Sequence, residues 1–276
     1  MEQKLYDVAI IGGGPGGYTA GLYCARSGFS VVVLEKLSPG GQMATTGQVD
    51  NYPGFEGGVD GFELGEKMQR GAERFGGETR FAEVTGVELA AVPKVIQTSE
   101  GEVRARAVVL ATGASPREMG LPGEQELRGR GVAYCATCDG MLYKGKTVAV
   151  IGDSEEARHD AQFLSDIGCK VLSFSGREKL DIRGGMKADT LVADGTEYAV
   201  DCVFILKDTL TAESLVSGIE SERGIIKTDR SCKTNIKGVF AAGDCTGAPY
   251  QIAKAVGDGN IAALSACEYI NTEKEI

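Results

Sequence analysis

The stretch "CATCDG" holds Cys135 and Cys138, two residues apart. That spacing is close enough to form a disulfide, and it commonly lowers the pKa of one thiol. A CxxC pair also begins many zinc sites, but those need two further ligands, and the chain has no second CxxC or CxxH. Buried bystander cysteines are the bland alternative. Asp139 follows at once and is the nearest group that could protonate a leaving thiolate. An Asp-Gly pair also forms turns, and both readings can hold together. The other six cysteines (Cys24, Cys169, Cys202, Cys232, Cys245 and Cys267) are scattered and read mostly as small buried hydrophobes. The single histidine, His159, sits in a polar helical stretch, so a His-clustered metal centre is impossible and no metal site is expected.

A second constellation lies at the start, in "VAIIGGGPGG". Gly12-x-Gly14-x-x-Gly17 follows an apolar run, and Glu35 stands 18 residues beyond the last glycine. The glycines allow a tight turn, close backbone approach to a pyrophosphate and close helix–strand packing. The helix N-terminus favours the phosphate charge, and Glu35 can accept from a ribose hydroxyl. A glycine-rich turn with no ligand is the alternative.

The stretch "VAVIGDSEEA" (148–157) is a damaged version of the same turn. Its second glycine has become Ser154, and Asp153, Glu155 and Glu156 crowd the expected helix start. Three carboxylates suit the helix dipole, by roughly 0.3–1 kcal/mol each. A bound phosphate they would oppose by about 1–4 kcal/mol per close pair. Micromolar binding totals only about −8 kcal/mol, so this turn is expected to have lost its nucleotide.

These motifs need strands and helices to present them. Residues 6–11, 15–27 and 30–35 read as strand, helix and strand, the unit of a doubly wound sheet. An amphipathic helix is expected over 61–76, and a β-meander over 81–109 ending in the strand 107–113. Residues 117–131 are Gly- and Pro-punctuated connector. A second strand–helix–strand unit spans 147–151, 154–167 and 170–174. A hairpin is expected around Asp194-Gly195, before a strand at 201–206. Only 26 residues separate 174 from Asp201, too few for another full βα unit beside that hairpin. The C-terminal stretch returns to the small-residue style of the start. The expected fold class is α/β, with two Rossmann-like three-layer domains. One would be discontinuous, 1–115 and 238–276, and an abridged central domain, 116–237, would be inserted in it.

Together "GGQMATTGQVDNYPGF" (40–55), "ATGASPREMGLPGE" (111–124), "CATCDG" (135–140) and "GVFAAGDCTG" (238–247) resemble the low-molecular-weight thioredoxin reductases, in order along nearly the whole chain. The resemblance implies FAD in the first site, held by Gly12, Gly14, Pro15, Gly17, Glu35 and Lys36. It also implies contacts from Gly41, Gln42 and Asn51, from Thr112 and Gly113, and from Gly243 and Asp244, the last toward the ribityl chain. Gln251 and Ile252 would lie beside the ring. Cys135 and Cys138 would be the redox-active disulfide, with Asp139 as proton donor. In that family NADPH binds the central domain through GxGxxA and a His-Arg-Arg run, where this chain has Ser175-Gly176-Arg177. The loss resembles the ferredoxin-dependent flavin thioredoxin reductases of anaerobic bacteria.

The leading expectation is therefore a homodimeric FAD enzyme carrying electrons from reduced ferredoxin to thioredoxin. Its rivals are an NADPH-dependent thioredoxin reductase, a disulfide reductase with another donor or a second flavin, and a non-catalytic redox sensor. Net charge is −10 and the pI about 4.8, which argues against nucleic acid. Residues 116–237 carry 17 basic and 20 acidic side chains, the remainder 12 and 19, so the central segment repels an acidic protein less. Arg117, Arg128, Arg130, Lys144 and Lys146 are candidates for a local basic patch there. No apolar run approaches the roughly 20 residues that span a bilayer, and "MEQKLYDVAII" carries no secretory signal, so a cytoplasmic location is expected.

Overall fold

The computed structural model describes residues 4–116, 119–206, 209–210, 216–222 and 224–274. Arg117 lies outside them, as do the side chains of Cys138, Glu155 and Glu156. The chain divides into two compact units, Met1–Ala114 with Thr211–Ile276, and Ser115–Leu210.

The first unit begins β1 (Leu5–Ile11), α1 (Pro15–Arg26), β2 (Val31–Glu35), α2 (Gly61–Glu73), β3 (Glu78–Phe81), β4 (Val84–Glu88), β5 (Lys94–Thr98) and β6 (Gly101–Leu110). All five residues of β2 are buried, as a central parallel strand covered on both faces requires. Asp60 caps α2, its side chain accepting the Glu63 amide at 2.9 Å. The sheet order is β3-β2-β1-β6-β5-β4. Alternation along the strands divides the core. Val8, Ile10, Val31, Val33 and Val109 face one cluster, while Ala9, Ile11, Val32, Leu34, Val108 and Leu110 face the other.

The second unit runs β7 (Ser115–Pro116), β8 (Val132–Ala133), α3 (Ala136–Asp139), β9 (Thr147–Ile151), α4 (Glu155–Asp166) and β10 (Lys170–Phe174). It continues through β11 (Leu180–Gly184), β12 (Ala188–Ala193), β13 (Thr196–Ala199), β14 (Cys202–Ile205) and β15 (Thr209–Leu210). Strands β10-β9-β14-β8 form a parallel sheet. The expected hairpin is there, turning at Asp194 (φ 49°) and Gly195 (φ 83°) with Ala193 paired to Thr196. It gains a third antiparallel strand, β11, so three short strands fill the interval where a βα unit would not fit.

The chain then returns through β16 (Ser221–Glu222), β17 (Ile225–Ile226), β18 (Val239–Ala241) and α5 (Ile252–Lys274). β18 pairs in parallel with the C-terminal half of β6. The return falls at residue 211 rather than 238. Its cause is burial: Val216 and Ile226 sit in the same core cluster as Leu110 and Val239, which ties residues 216–237 to the first unit. The sequence gives little warning, because two-residue strands carry no periodicity.

Candidate active site

Cys135 is disulfide-bonded, whereas the other described cysteines are free. It precedes α3, and the Asp139 amide donates to its carbonyl at 3.2 Å. The Cys138 backbone lies within this helix. Gly140 continues into a 3-10 turn, Gly140–Tyr143. A Cβ on Gly140 would lie 2.8 Å from Leu164 Cδ2 on α4, so the redox helix packs hard against its neighbour.

Burial pushes the Asp139 carboxyl up to about 6. Close by, the Tyr143 and Cys202 side chains neighbour each other, and burial pushes the Cys202 thiol up to about 12. The Tyr143 ring meets Phe204 edge-on at 5.9 Å between centroids. This dry wall disfavours charge, so Asp139 keeps its proton to a higher pH than an exposed carboxylate. A carboxyl near 6 can give up a proton to a thiolate near neutral pH.

The first unit gathers the glycine turn and its expected companions. Gly12 has φ 108°, and a Cβ there would lie 2.2 Å from the Ala111 carbonyl oxygen. The Gly13 and Leu37 amides donate to the two Glu35 carboxylate oxygens at 2.7 and 2.9 Å. Glu35 thus braces the turn itself. Gly14 is the N-cap of α1 and has no side chain to cap it, and Pro15 opens the helix. The Gly40 amide donates to Gly13 O at 2.8 Å, bringing the Gly41–Thr45 turn to the same place. Asn51 Nδ2 donates to Gln251 Oε1 at 3.0 Å, and Gln42 Nε2 donates to the Ala114 carbonyl. Lys36 instead pairs with Glu83 at 2.6 Å.

These residues fit a dinucleotide. A Cβ on Gly14 would meet nothing nearer than 4.0 Å, and one on Gly113 nothing within 4 Å, so both backbones lie open to approach. The buried Thr112 Oγ1 has no hydrogen-bond partner. Burial raises the Asp244 carboxyl while the Lys254 ammonium opposes the rise.

Two braces were not legible beforehand. Lys254 Nζ donates to the carbonyls of Gly243 and Gly247 at 2.8 Å each and to Thr246 Oγ1 at 2.7 Å. It also pairs with Asp258 at 2.9 Å, whose carboxylate accepts the Gly243 amide at 3.1 Å. The signal was the i,i+4 Lys–Asp spacing beside "AAGD". The second is Glu178, whose carboxylate accepts the Ser175 and Gly176 amides at 3.1 and 2.8 Å and the Ser175 hydroxyl at 3.1 Å.

Glu178 belongs to the damaged turn. There Ser154 is the N-cap of α4, its Oγ accepting the Ala157 amide at 3.0 Å. Arg177 pairs with Asp153 at 2.9 Å. Gly152 is retained for packing, since its Cβ would lie 2.3 Å from Leu206 O. Of the candidate basic patch, Arg128 stacks on Tyr134, Lys146 lies over Tyr143, and Arg130 donates to Glu126 O. Among the described residues no helix is long and apolar enough to cross a membrane.

Comparison with known proteins agrees with this geometry. The family described as pyridine nucleotide-disulphide oxidoreductase matches residues 6–181 and 174–259. Thioredoxin reductase of Bacillus subtilis (strain 168) is 37% identical over 309 aligned positions, covering 99% of this chain and 98% of that protein. Those positions outnumber the 276 residues here, so the relative carries segments this chain lacks. Among solved structures, thioredoxin reductase from Streptococcus pyogenes superposes with TM-score 0.88 at 32% identity, covering 97% and 99% of the two chains. A ferredoxin-flavin thioredoxin reductase from Clostridium acetobutylicum gives TM-score 0.62 at 34% identity, covering 99% and 100%. Fold and disulfide define a two-domain flavin-disulfide oxidoreductase. Within that class the chain belongs to the low-molecular-weight thioredoxin reductases. It is a flavin-dependent thioredoxin reductase, and its cofactor is FAD.

Proposed function

We propose that this thioredoxin reductase takes its electrons from reduced ferredoxin and not from a pyridine nucleotide. The carrying observation is that the second dinucleotide turn is filled by the protein's own groups. Ser154 Oγ holds a helix amide that a pyrophosphate would use. Glu178 holds the amides after β10, where the family's 2′-phosphate cluster would stand. Arg177, the surviving cation there, is paired to Asp153. An anionic ligand would have to displace a carboxylate and break an ion pair, for little net gain. The likeness to the ferredoxin-flavin enzyme of Clostridium acetobutylicum supports the same reading.

Gly12, Gly14, Pro15, Gly17 and Glu35 would hold the FAD pyrophosphate and ribose. Gly41, Gln42, Asn51, Thr112, Gly113, Gly243, Asp244, Gln251 and Ile252 would line the rest. FAD bound there accepts electrons singly and releases them in pairs, chemistry that no side chain of this protein supplies. Reduced Cys135 and Cys138 would attack a thioredoxin disulfide through a mixed disulfide. Asp139 would hold the proton that the leaving thiolate takes. The acceptor would be a cytoplasmic thioredoxin and the working form a homodimer. Domain roles follow: residues 1–114 and 211–276 bind FAD, and residues 115–210 carry the disulfide.

A specific observation favours one rival, because the matching family is described by its pyridine nucleotide. Anaerobic stopped-flow with NADPH, NADH and reduced ferredoxin, each alone, separates the two. Flavin bleaching by ferredoxin only is expected; fast bleaching by either nucleotide would reverse the assignment.

A further inference from the structure

Six cysteines lie outside the CxxC motif, and two of them meet. Cys24 stands in the last turn and a half of α1, Cys267 in the C-terminal third of α5. The two helices run side by side in the same direction. Gly16 approaches Ala255 and Gly259 at one end, and a Cβ on Gly259 would lie 2.2 Å from the Gly16 carbonyl oxygen. Two turns further along both helices, the same close approach brings Cys24 Sγ to 3.7 Å from the Ala263 carbonyl. Cys267 stands eight residues beyond Gly259, as Cys24 stands eight beyond Gly16, so the two thiols lie at the same level of the paired helices, one turn past Ala263. Both thiols are free and buried in one apolar cluster.

The pair is asymmetric. Cys24 is fully buried whereas Cys267 keeps 6% exposure, and the neighbouring Cys24 thiol, with Ser27 beside it, holds Cys267 below its ordinary value while that contact and burial raise Cys24. Cys267 therefore has the more thiolate character. Ser27 is exposed, so Cys267 lies one side chain beneath the surface.

We infer that Cys24 and Cys267 form a second, hydroperoxide-sensitive dithiol, closing to a disulfide that joins α1 to α5. Cys267 sulfur attacks the peroxide, forming an S–O bond as the O–O bond breaks. The departing oxygen takes the thiol proton and leaves as water or an alcohol. The Cys24 sulfur then attacks the sulfenic sulfur, the S–O bond breaks, and water leaves with the second proton. Two thiols are oxidised by two electrons and one peroxide is reduced.

Tryptic peptides make the test direct. Cys24 falls in Leu5–Arg26, Cys267 in Ala255–Lys274, and both CxxC cysteines in Gly131–Lys144. Full-length holoprotein reduced with dithiothreitol is treated with hydrogen peroxide at a dose that fully re-forms the disulfide within Gly131–Lys144. It is then alkylated, digested and mapped by mass spectrometry without reductant. The expected result is peptide Leu5–Arg26 linked to Ala255–Lys274, with two further alkylatable thiols lost per chain and both recovered by dithiothreitol. In Cys24→Ser and Cys267→Ser proteins that further loss of two should disappear. Recovery of the two peptides unlinked in the wild type, whether alkylated or carrying a sulfinic acid on Cys267, would overturn the assignment.

Discussion

Ser154 Oγ accepts the Ala157 amide at 3.0 Å, whereas Gly14, at the equivalent position of the first turn, offers its helix no side-chain cap. One helix start is closed by its own residue; the other is left for a ligand. Replacing Ser154 by Ala should therefore cost about 0.5–2 kcal/mol, and by Gly only a few tenths. Thermal unfolding of the two variants checks the ranking. Equal stability of Ser154→Ala and wild type would mean that the cap contributes nothing.

The same closure fixes the nucleotide experiment. At millimolar concentration neither NADPH nor NADH should bleach the flavin within seconds, nor protect the second unit from proteolysis. Binding of either in the micromolar range by calorimetry would show that Glu178 and Arg177 yield more easily than their contacts suggest.

Cys135→Ser and Cys138→Ser should each retain FAD and its visible spectrum, because the residues proposed to hold the cofactor lie in the other unit. Thioredoxin reduction should fall to background in both, since a dithiol is needed to form and resolve the mixed disulfide. Turnover with a ferredoxin-reducing system measures this. Full activity in either variant would place the electron exit elsewhere.

Asp139 gives a prediction in pH. Its carboxyl lies near 6 in the folded protein against an ordinary 3.8, so the native state favours the proton. Stability is lost as pH rises between those values, by up to about 3 kcal/mol at one pKa unit per 1.36 kcal/mol. Asp139→Asn should match the wild type below pH 4 and exceed it above pH 6 in thermal unfolding. Its thioredoxin turnover should be lower by about 10²–10⁴. A variant destabilised at neutral pH would contradict the burial argument.

Lys254→Met removes the ammonium that spans the Gly243 and Gly247 carbonyls and pairs with Asp258. Leaving those groups unmatched should cost about 1–3 kcal/mol and loosen the turn that presents Asp244. The FAD-to-protein ratio after gel filtration should drop below that of the wild type. An unchanged ratio would make Lys254 a bystander to cofactor binding.

The sequence speaks plainly where structure is local. The first glycine turn, Glu35 behind it, the all-buried β2 and the Asp194-Gly195 hairpin all follow from short-range patterns. Each sits within a residue or two of its expected place. What sequence hides depends on distant segments meeting. Glu178 turns back onto amides two and three residues earlier only because the loop after β10 curls. Val216 and Ile226 join the first unit because a core cluster under β6 has room for them. The Cys24–Cys267 contact needs two helices, 243 positions apart in the chain, to run at glycine distance. No window of residues contains such information.

β7 and β15, the first and last strands of the second unit, pair antiparallel, Ser115 with Leu210 and Pro116 with Thr209. The insert thus leaves and re-enters its host through a single two-stranded stem. Topologically it is an overgrown loop, and a loop with adjacent ends can be lengthened, exchanged or excised without rethreading what carries it. A lineage could therefore trim the nucleotide half, swap it for another electron inlet, or graft it onto a different flavoprotein, while the cofactor's cradle is inherited whole.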